Sequence, residues 1–130
     1  MREIKFRAWD GRHIAEVIGI KFSADLTPHS VLTVISPNMV YESIAEIKLM
    51  QFTNLLDKND KEVFESDILK DNYGTTYIVE WEEEQTPGFH LTPIDEPKVQ
   101  IEEYKLWRDS DRIEVIGNIY ENPELIKESL

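Results

Sequence analysis

Apolar and polar residues alternate with a period of two along much of the chain, the pattern of half-buried strands. Ile4, Phe6 and Ala8 alternate with Lys5, Arg7 and Trp9, which predicts a first strand with Trp9 on its outer face. Asp10-Gly11 follows as a two-residue hairpin turn. Ile14 to Phe22 is a second strand, with Ile14, Ile18, Ile20 and Phe22 on one parity and Gly19 marking a bulge. Thr27-Pro28 breaks the pattern, Val31 to Ile35 is a β-branched third strand, and Ser36-Pro37-Asn38 is a turn.

Residues 40–52 read two ways. Val40, Ile44, Ile47 and Met50 suit a short helix, whereas Ile47, Leu49 and Gln51 suit a strand; a strand over about 47–53 is the preferred assignment. Three further short elements follow. Asp57 to Lys61 turns into Val63-Phe64, Glu65-Ser66-Asp67 turns into Ile68-Leu69-Lys70, and Asn72-Tyr73-Gly74 turns into Thr75 to Trp81, where Tyr77, Val79 and Trp81 share a face. This is the turn spacing of a meander or small barrel. Glu82-Glu83-Glu84 is a solvated edge, Phe89-His90-Leu91 a short strand, and Thr92 to Pro97 a loop. Val99 to Trp107 fits a short helix or a strand equally. Ile113 to Ile116 is a strand that Gly117-Asn118 bulges or turns. Asn122 as cap, Pro123 at the first helical position and Glu124 in the first turn start a C-terminal helix of at most two turns, which needs Leu125 or Ile126 docked to persist.

Length bounds the architecture. With 130 residues and 41% hydrophobic positions, the chain forms a cored domain and is not an acidic disordered tail. The expected organisation is one domain over residues 1–130, with two closely packed β lobes as its internal division. No cysteine is present, which removes disulfides, thiolate metal sites and a cysteine nucleophile. The N-terminus has no apolar stretch of the signal-peptide kind, and the charge-free run between Asp25 and Glu42 is too short and polar to span a bilayer. A cytoplasmic location is the expectation.

Charge is unevenly distributed. Residues 1–48 carry six basic and six acidic side chains, a net of zero, so the whole −12 falls in residues 49–130, as 8 − 20. Such a surface repels phosphates, and direct nucleic-acid binding is not expected. The excess serves solubility, or forms an acidic face for a basic partner, with DNA mimicry as its special case.

Three blocks carry a family resemblance: Met1 to Asp10 (MREIKFRAWD), Leu49 to Leu69 (LMQFTNLLDKNDKEVFESDIL) and Glu114 to Leu125 (EVIGNIYENPEL). Together they span both ends and the middle, and the chain resembles the YopX family of phage and prophage proteins. The resemblance implies a mainly β fold of small SH3-like or barrel-type sheets with one or two short helices. It also implies a phage or prophage origin and residence in the host cytoplasm. It supplies no catalytic residues, because the family is largely uncharacterised. The family's central block usually has glycine where this chain has Asn54, Asp60 and Ser66. Asn and Asp tolerate positive φ best among non-glycine residues, so Asn54 and Asp60 read as turn positions kept in the left-handed region, whereas that preference does not explain Ser66. The replacements imply that the family's glycines serve turn geometry rather than cradle phosphate.

Candidate chemistry is sparse. His13, His29 and His90 lack metal-ligand spacing and are expected at surfaces or edges. Glu65, Asp67 and Asp71 are the acids from which a magnesium site could be drawn, Glu65 and Asp67 sharing a strand parity. No nucleophile elbow, Walker A or dinucleotide fingerprint is present; the five glycines stand singly. The expected assignment is therefore no catalytic, cofactor or metal residue. Trp9, Phe52, Phe64, Tyr77, Trp81 and Trp107 are expected to pack the core, with a peptide groove as the alternative for Trp9 and Trp81 and a subunit interface as the alternative for an exposed Trp9. The leading functional expectation is a non-enzymatic interaction module that self-associates and binds a host or phage protein. A carboxylate-based metal-dependent hydrolase and an acidic DNA mimic are its alternatives.

Overall fold

The computed structural model describes residues 3–35, 38–43, 47–83, 88–94 and 112–127. These form ten strands: β1 (Phe6–Trp9), β2 (Ile14–Phe22), β3 (Pro28–Ile35), β4 (Asn38–Ser43), β5 (Lys48–Leu56), β6 (Glu62–Phe64), β7 (Asp67–Asp71), β8 (Thr76–Glu82), β9 (Gly88–Pro93) and β10 (Ile113–Asn118). One short helix, α1 (Glu124–Lys127), is described. The protein is mainly β, in two sheets with strand orders β4-β3-β2-β1-β5-β6 and β10-β7-β8-β9. The pairings β1–β2, β1–β5, β2–β3, β3–β4, β7–β8, β8–β9 and β7–β10 are antiparallel. The segment Val99 to Trp107, read as helix or strand, lies outside the described residues.

The chain divides into two compact units, Met1–Phe52 and Thr53–Leu130. The charge division follows the same boundary: the first unit sums to 6 − 6 and the second to 8 − 20.

In the first unit, β1 lies between β2 and the start of β5, with Phe6 opposite Val17 and Gln51. Ala8, Val31 and Ile47 form its core, and Val17, Ile20 and Leu49 pack against them. The expected single parity of β2 is corrected here. The register with β3 shifts between Val17 and Gly19, so Ile18 is the bulged residue. A bulge adds one residue and reverses the alternation. Ala15 and Val17 therefore face inward before it and Ile20 after it, while Ile18 and Phe22 are exposed. Two further expectations change. The β1–β2 turn has four residues, because Trp9 pairs with Ile14 and the Asp10 carboxylate accepts the N–H groups of Arg12 (2.8 Å) and His13 (2.7 Å). Residues 38–43 are strand β4, paired along β3, not the start of a helix.

In the second unit, β7, β8 and β9 form a meander, and β10 returns to pair with β7. Val63, Leu69, Tyr77, Val79, Leu91 and Ile113 are fully buried and make its core. β9 extends through Pro93, opposite Tyr77, where a loop was expected from Thr92. β10 is bulged between Val115 and Gly117, as its glycine suggests. Asn122 departs from its expected role. Its carbonyl accepts the Leu125 N–H, but its side-chain oxygen turns back to the Asn118 N–H.

The three positions where the family usually has glycine all adopt positive φ: Asn54 at 69°, Asp60 at 63° and Ser66 at 73°. Ser66 is also held by backbone bonds on both sides, donating to Val79 O (2.8 Å) and accepting from Ile119 N–H (3.1 Å). It cannot relax to negative φ without breaking them. Ser66→Gly is expected to stabilise the protein by about 0.5–1 kcal/mol, because glycine removes the left-handed penalty at some cost in unfolded-chain entropy. Asn54→Gly and Asp60→Gly should gain less. Urea melts of the three variants check the ranking, and a destabilised Ser66→Gly would refute it.

Candidate functional site

The acids of the second unit come first, since a hydrolase would draw on them. Asp67 is 1% exposed and its Oδ2 accepts the Phe64 N–H at 2.8 Å across the β6–β7 turn. Asp71 Oδ1 accepts the N–H groups of Tyr73 (2.8 Å) and Thr75 (2.9 Å), and its Oδ2 accepts the Tyr77 hydroxyl at 3.0 Å. Glu65 is half-buried in the turn next to Ser66, ahead of the first residue of β7. The strand parity that was to align Glu65 with Asp67 therefore does not apply. Among the described residues, no group of three or more His, Asp or Glu side chains is placed to hold a metal ion.

Two further buried polar residues, which the sequence reading did not single out, do the same work. Asp57 Oδ1 accepts the N–H groups of Asn59 (2.8 Å) and Lys61 (2.9 Å), and its Oδ2 accepts that of Val115 on β10 (2.9 Å). Asn118 Oδ1 accepts the N–H groups of Tyr120 (3.0 Å) and Glu121 (2.9 Å). Asp57, Asp71 and Asn118 thus each hold a turn that follows a strand, and Asp67 braces the turn that precedes β7. The local signal was the Asx pattern, an Asp or Asn two to four residues before the bonded N–H. The bond from Asp57 to Val115 had no local signal.

The pKa directions agree with this use. Burial pushes the Asp57 carboxyl up, but the N–H groups of Val115, Lys61 and Asn59 outweigh it and leave it below the usual carboxylate value. Asp10 is lowered chiefly by the His13 N–H, and Asp25 is lowered to about 2 by the hydroxyls of Ser23 and Thr27. A general acid needs the opposite shift, upward from an apolar pocket.

The histidines occupy the expected edges. His13 is exposed in the β1–β2 turn with Nδ1 3.7 Å from Asp10, His29 is exposed on β3, and His90 lies on edge strand β9 with Nδ1 3.7 Å from Glu82. Among the aromatics, Phe52, Phe64 and Tyr77 are buried as expected, and Trp107 lies outside the described residues. Trp9 is half-buried in the first unit. Trp81, 46% exposed in the second, packs edge-on against Phe89 across the β8–β9 pair, with ring centroids 5.0 Å apart.

The β2–β3 hairpin has the chemistry of a contact surface. Ile18, Phe22 and Leu26 are exposed along it. Its tip is a five-residue loop in which Ser23 N–H donates to Thr27 O (2.9 Å) and Leu26 N–H to Ser23 O (2.9 Å). The Asp25 carboxylate ties the loop together by accepting the Thr27 N–H at 3.2 Å and the Ser23 and Thr27 hydroxyls. Toward its base, Gly19, Ile20, Lys21, Ser30 and Leu32 line a shallow cavity of about 590 Å³. The sequence reading passed over Leu26, because no propensity rule places leucine in a left-handed turn.

A family model described as YopX protein matches residues 5–127. The crystal structure of protein EF1440 from Enterococcus faecalis is similar, with 26% sequence identity and a TM-score of 0.66 over 95% of this chain and 98% of that one. Comparison with curated proteins gives no match.

Proposed function

The chain belongs to the YopX family, and from that premise we propose a phage-type accessory protein, acting in the host cytoplasm, that works by binding proteins and also self-associates. The observation that carries this reading is how acidic and large apolar side chains are used. The buried acids that could serve chemistry are committed to backbone N–H groups that hold turns, whereas large apolar side chains stand exposed on strands and at a hairpin tip. The acid excess of residues 53–130 favours a host or phage partner with a basic surface, and attraction of that kind weakens with salt. Among the described residues, no helix is long and apolar enough to cross a membrane.

A tagged, nuclease-treated pull-down from infected and uninfected cells, read by mass spectrometry, tests the reading. The expected result is a stoichiometric protein that elutes as salt is raised. Asp67→Asn distinguishes binding from catalysis. On the binding reading it lowers the melting midpoint and leaves magnesium and manganese without effect on the melt. A hydrolytic activity lost in Asp67→Asn with an unchanged melting midpoint would overturn it.

A further inference from the structure

Leu26 is the most anomalous residue of the first unit. Its φ is 68°, in the left-handed region, and its side chain is 81% exposed. Glycine or asparagine would fit that backbone at lower cost, and a polar residue would suit that exposure. Folding of the single chain gains from neither feature. The loop nevertheless holds the residue in place, through the Asp25 carboxylate and the backbone bonds between Ser23 and the Leu26 and Thr27 positions. An apolar side chain presented to water from a backbone held at a strained φ is placed for contact.

The same hairpin carries an open recess. The cavity lined by Gly19, Ile20, Lys21, Ser30 and Leu32 is of a size that accepts a leucine side chain, and the absent side chain of Gly19 leaves it open beside Leu32. Projection and recess are about six residues apart along the strands, roughly 20 Å at the strand rise. Phe22, 54% exposed, lies between them.

We propose that the β2–β3 hairpin is a self-complementary dimer interface, in which Leu26 of each copy enters the Gly19–Leu32 recess of the other. Two hairpins laid antiparallel satisfy both contacts at once, with the two-fold axis near Phe22, which closes the assembly at two copies. Charge selects a second copy over a basic partner. Residues 14–35 hold only Lys21 against Glu16 and Asp25, while the −12 lies in residues 53–130. A basic partner is drawn to the second unit, whereas this hairpin carries almost no net charge, so two copies of it meet without strong mutual repulsion. The inference deepens the self-association in the proposed function and is independent of any host or phage partner.

Two substitutions separate association from folding. Leu26→Gly removes both the projection and the left-handed penalty, and Gly19→Val fills the recess with a residue that suits a strand. Light scattering coupled to size exclusion is expected to give a dimer for the full chain. Each variant should weaken the dissociation constant by roughly tenfold or more, the loss of one buried leucine per copy. Melting of the dissociated monomer at high dilution should stay level or rise for both. Because the chain has no cysteine, a Leu26→Cys and a Leu32→Cys variant should form a disulfide-linked pair when mixed under oxidation, and neither should do so alone. A monomeric wild type overturns the proposal, as does a dimer that survives both Leu26→Gly and Gly19→Val. Either failure leaves the pull-down result, and hence the wider binding reading, standing.

Discussion

Asp57→Ala is expected to cost about 3–4 kcal/mol of folding stability, because one carboxylate here holds a turn and a distant strand together. Asp57 is 4% exposed and accepts three backbone N–H groups, two in its own turn and one from Val115. Asn59 and Lys61 are exposed and their N–H groups can turn to water, but that of half-buried Val115 is left without its partner. The turn then holds β10 only through the bond from Lys58 N–H to Ile113 O, at 3.0 Å, and the exposed contacts of Lys58 and Asn59 with Glu114. Asp57→Asn keeps one acceptor oxygen and should cost about half as much. The charge makes the contribution pH-dependent. The folded carboxyl titrates below its unfolded value of about 3.9, so its stabilisation is complete above that pH and disappears as pH falls through the lower folded value. Urea midpoints measured from neutral pH down into that range should converge for wild type and Asp57→Asn. A difference that stays constant with pH would show that the carboxylate is not charged in the fold.

That interaction also shows where sequence reasoning stops. The strands from Lys48 to Trp81 were legible because short alternating runs are separated by residues with turn chemistry, and β6, β7 and β8 lie where those runs place them. From the family's glycines, Asn54 and Asp60 were legible as positive-φ positions, but Asn54 lies within β5 and not in a turn, and Ser66 is the case where geometry prevailed over residue preference. The inward face of β2 was not legible. A single inserted residue at Ile18 reverses the alternation, and only the pairing with β3 reveals on which side of Gly19 the insertion falls. Likewise β4 escaped because its partner β3, not its own composition, makes it a strand.

For the site, the sequence supplied the residues but not their roles. Asp67 and Asp71 were the acids to consider, and the structure places both at turns with their oxygens facing N–H groups. A carboxylate that accepts from the backbone and one that binds a metal look alike in a sequence. The difference lies in what the folded chain points at the oxygens. Asp57 makes the same point over a longer distance, since its Val115 contact joins residues 58 apart. The charge division was legible in full, and its coincidence with the boundary at Phe52 gives it structural meaning.

Gly117→Ala is expected to be the second most damaging change, at about 2–3 kcal/mol, although alanine is the smallest side chain that can be added. A Cβ at Gly117 would fall against Asn122 Oδ1 and within 2.7 Å of its Cγ. Asn122 is fixed by its surroundings. Its N–H donates to Asn118 O at 2.9 Å, its Oδ1 accepts the Asn118 N–H at 3.2 Å, and its carbonyl accepts the Leu125 N–H at 3.1 Å. The added methyl therefore displaces the residue that joins the end of β10 to α1, and a four-residue helix has no stability of its own to replace that anchor. A double-mutant cycle isolates the cause. Asn122→Gly alone should cost about 1 kcal/mol for its lost side-chain bonds, and Gly117→Ala should add little in the Asn122→Gly background, because the clash has gone. Equal costs in both backgrounds would place the effect of Gly117→Ala in the β10 bulge and not at Asn122.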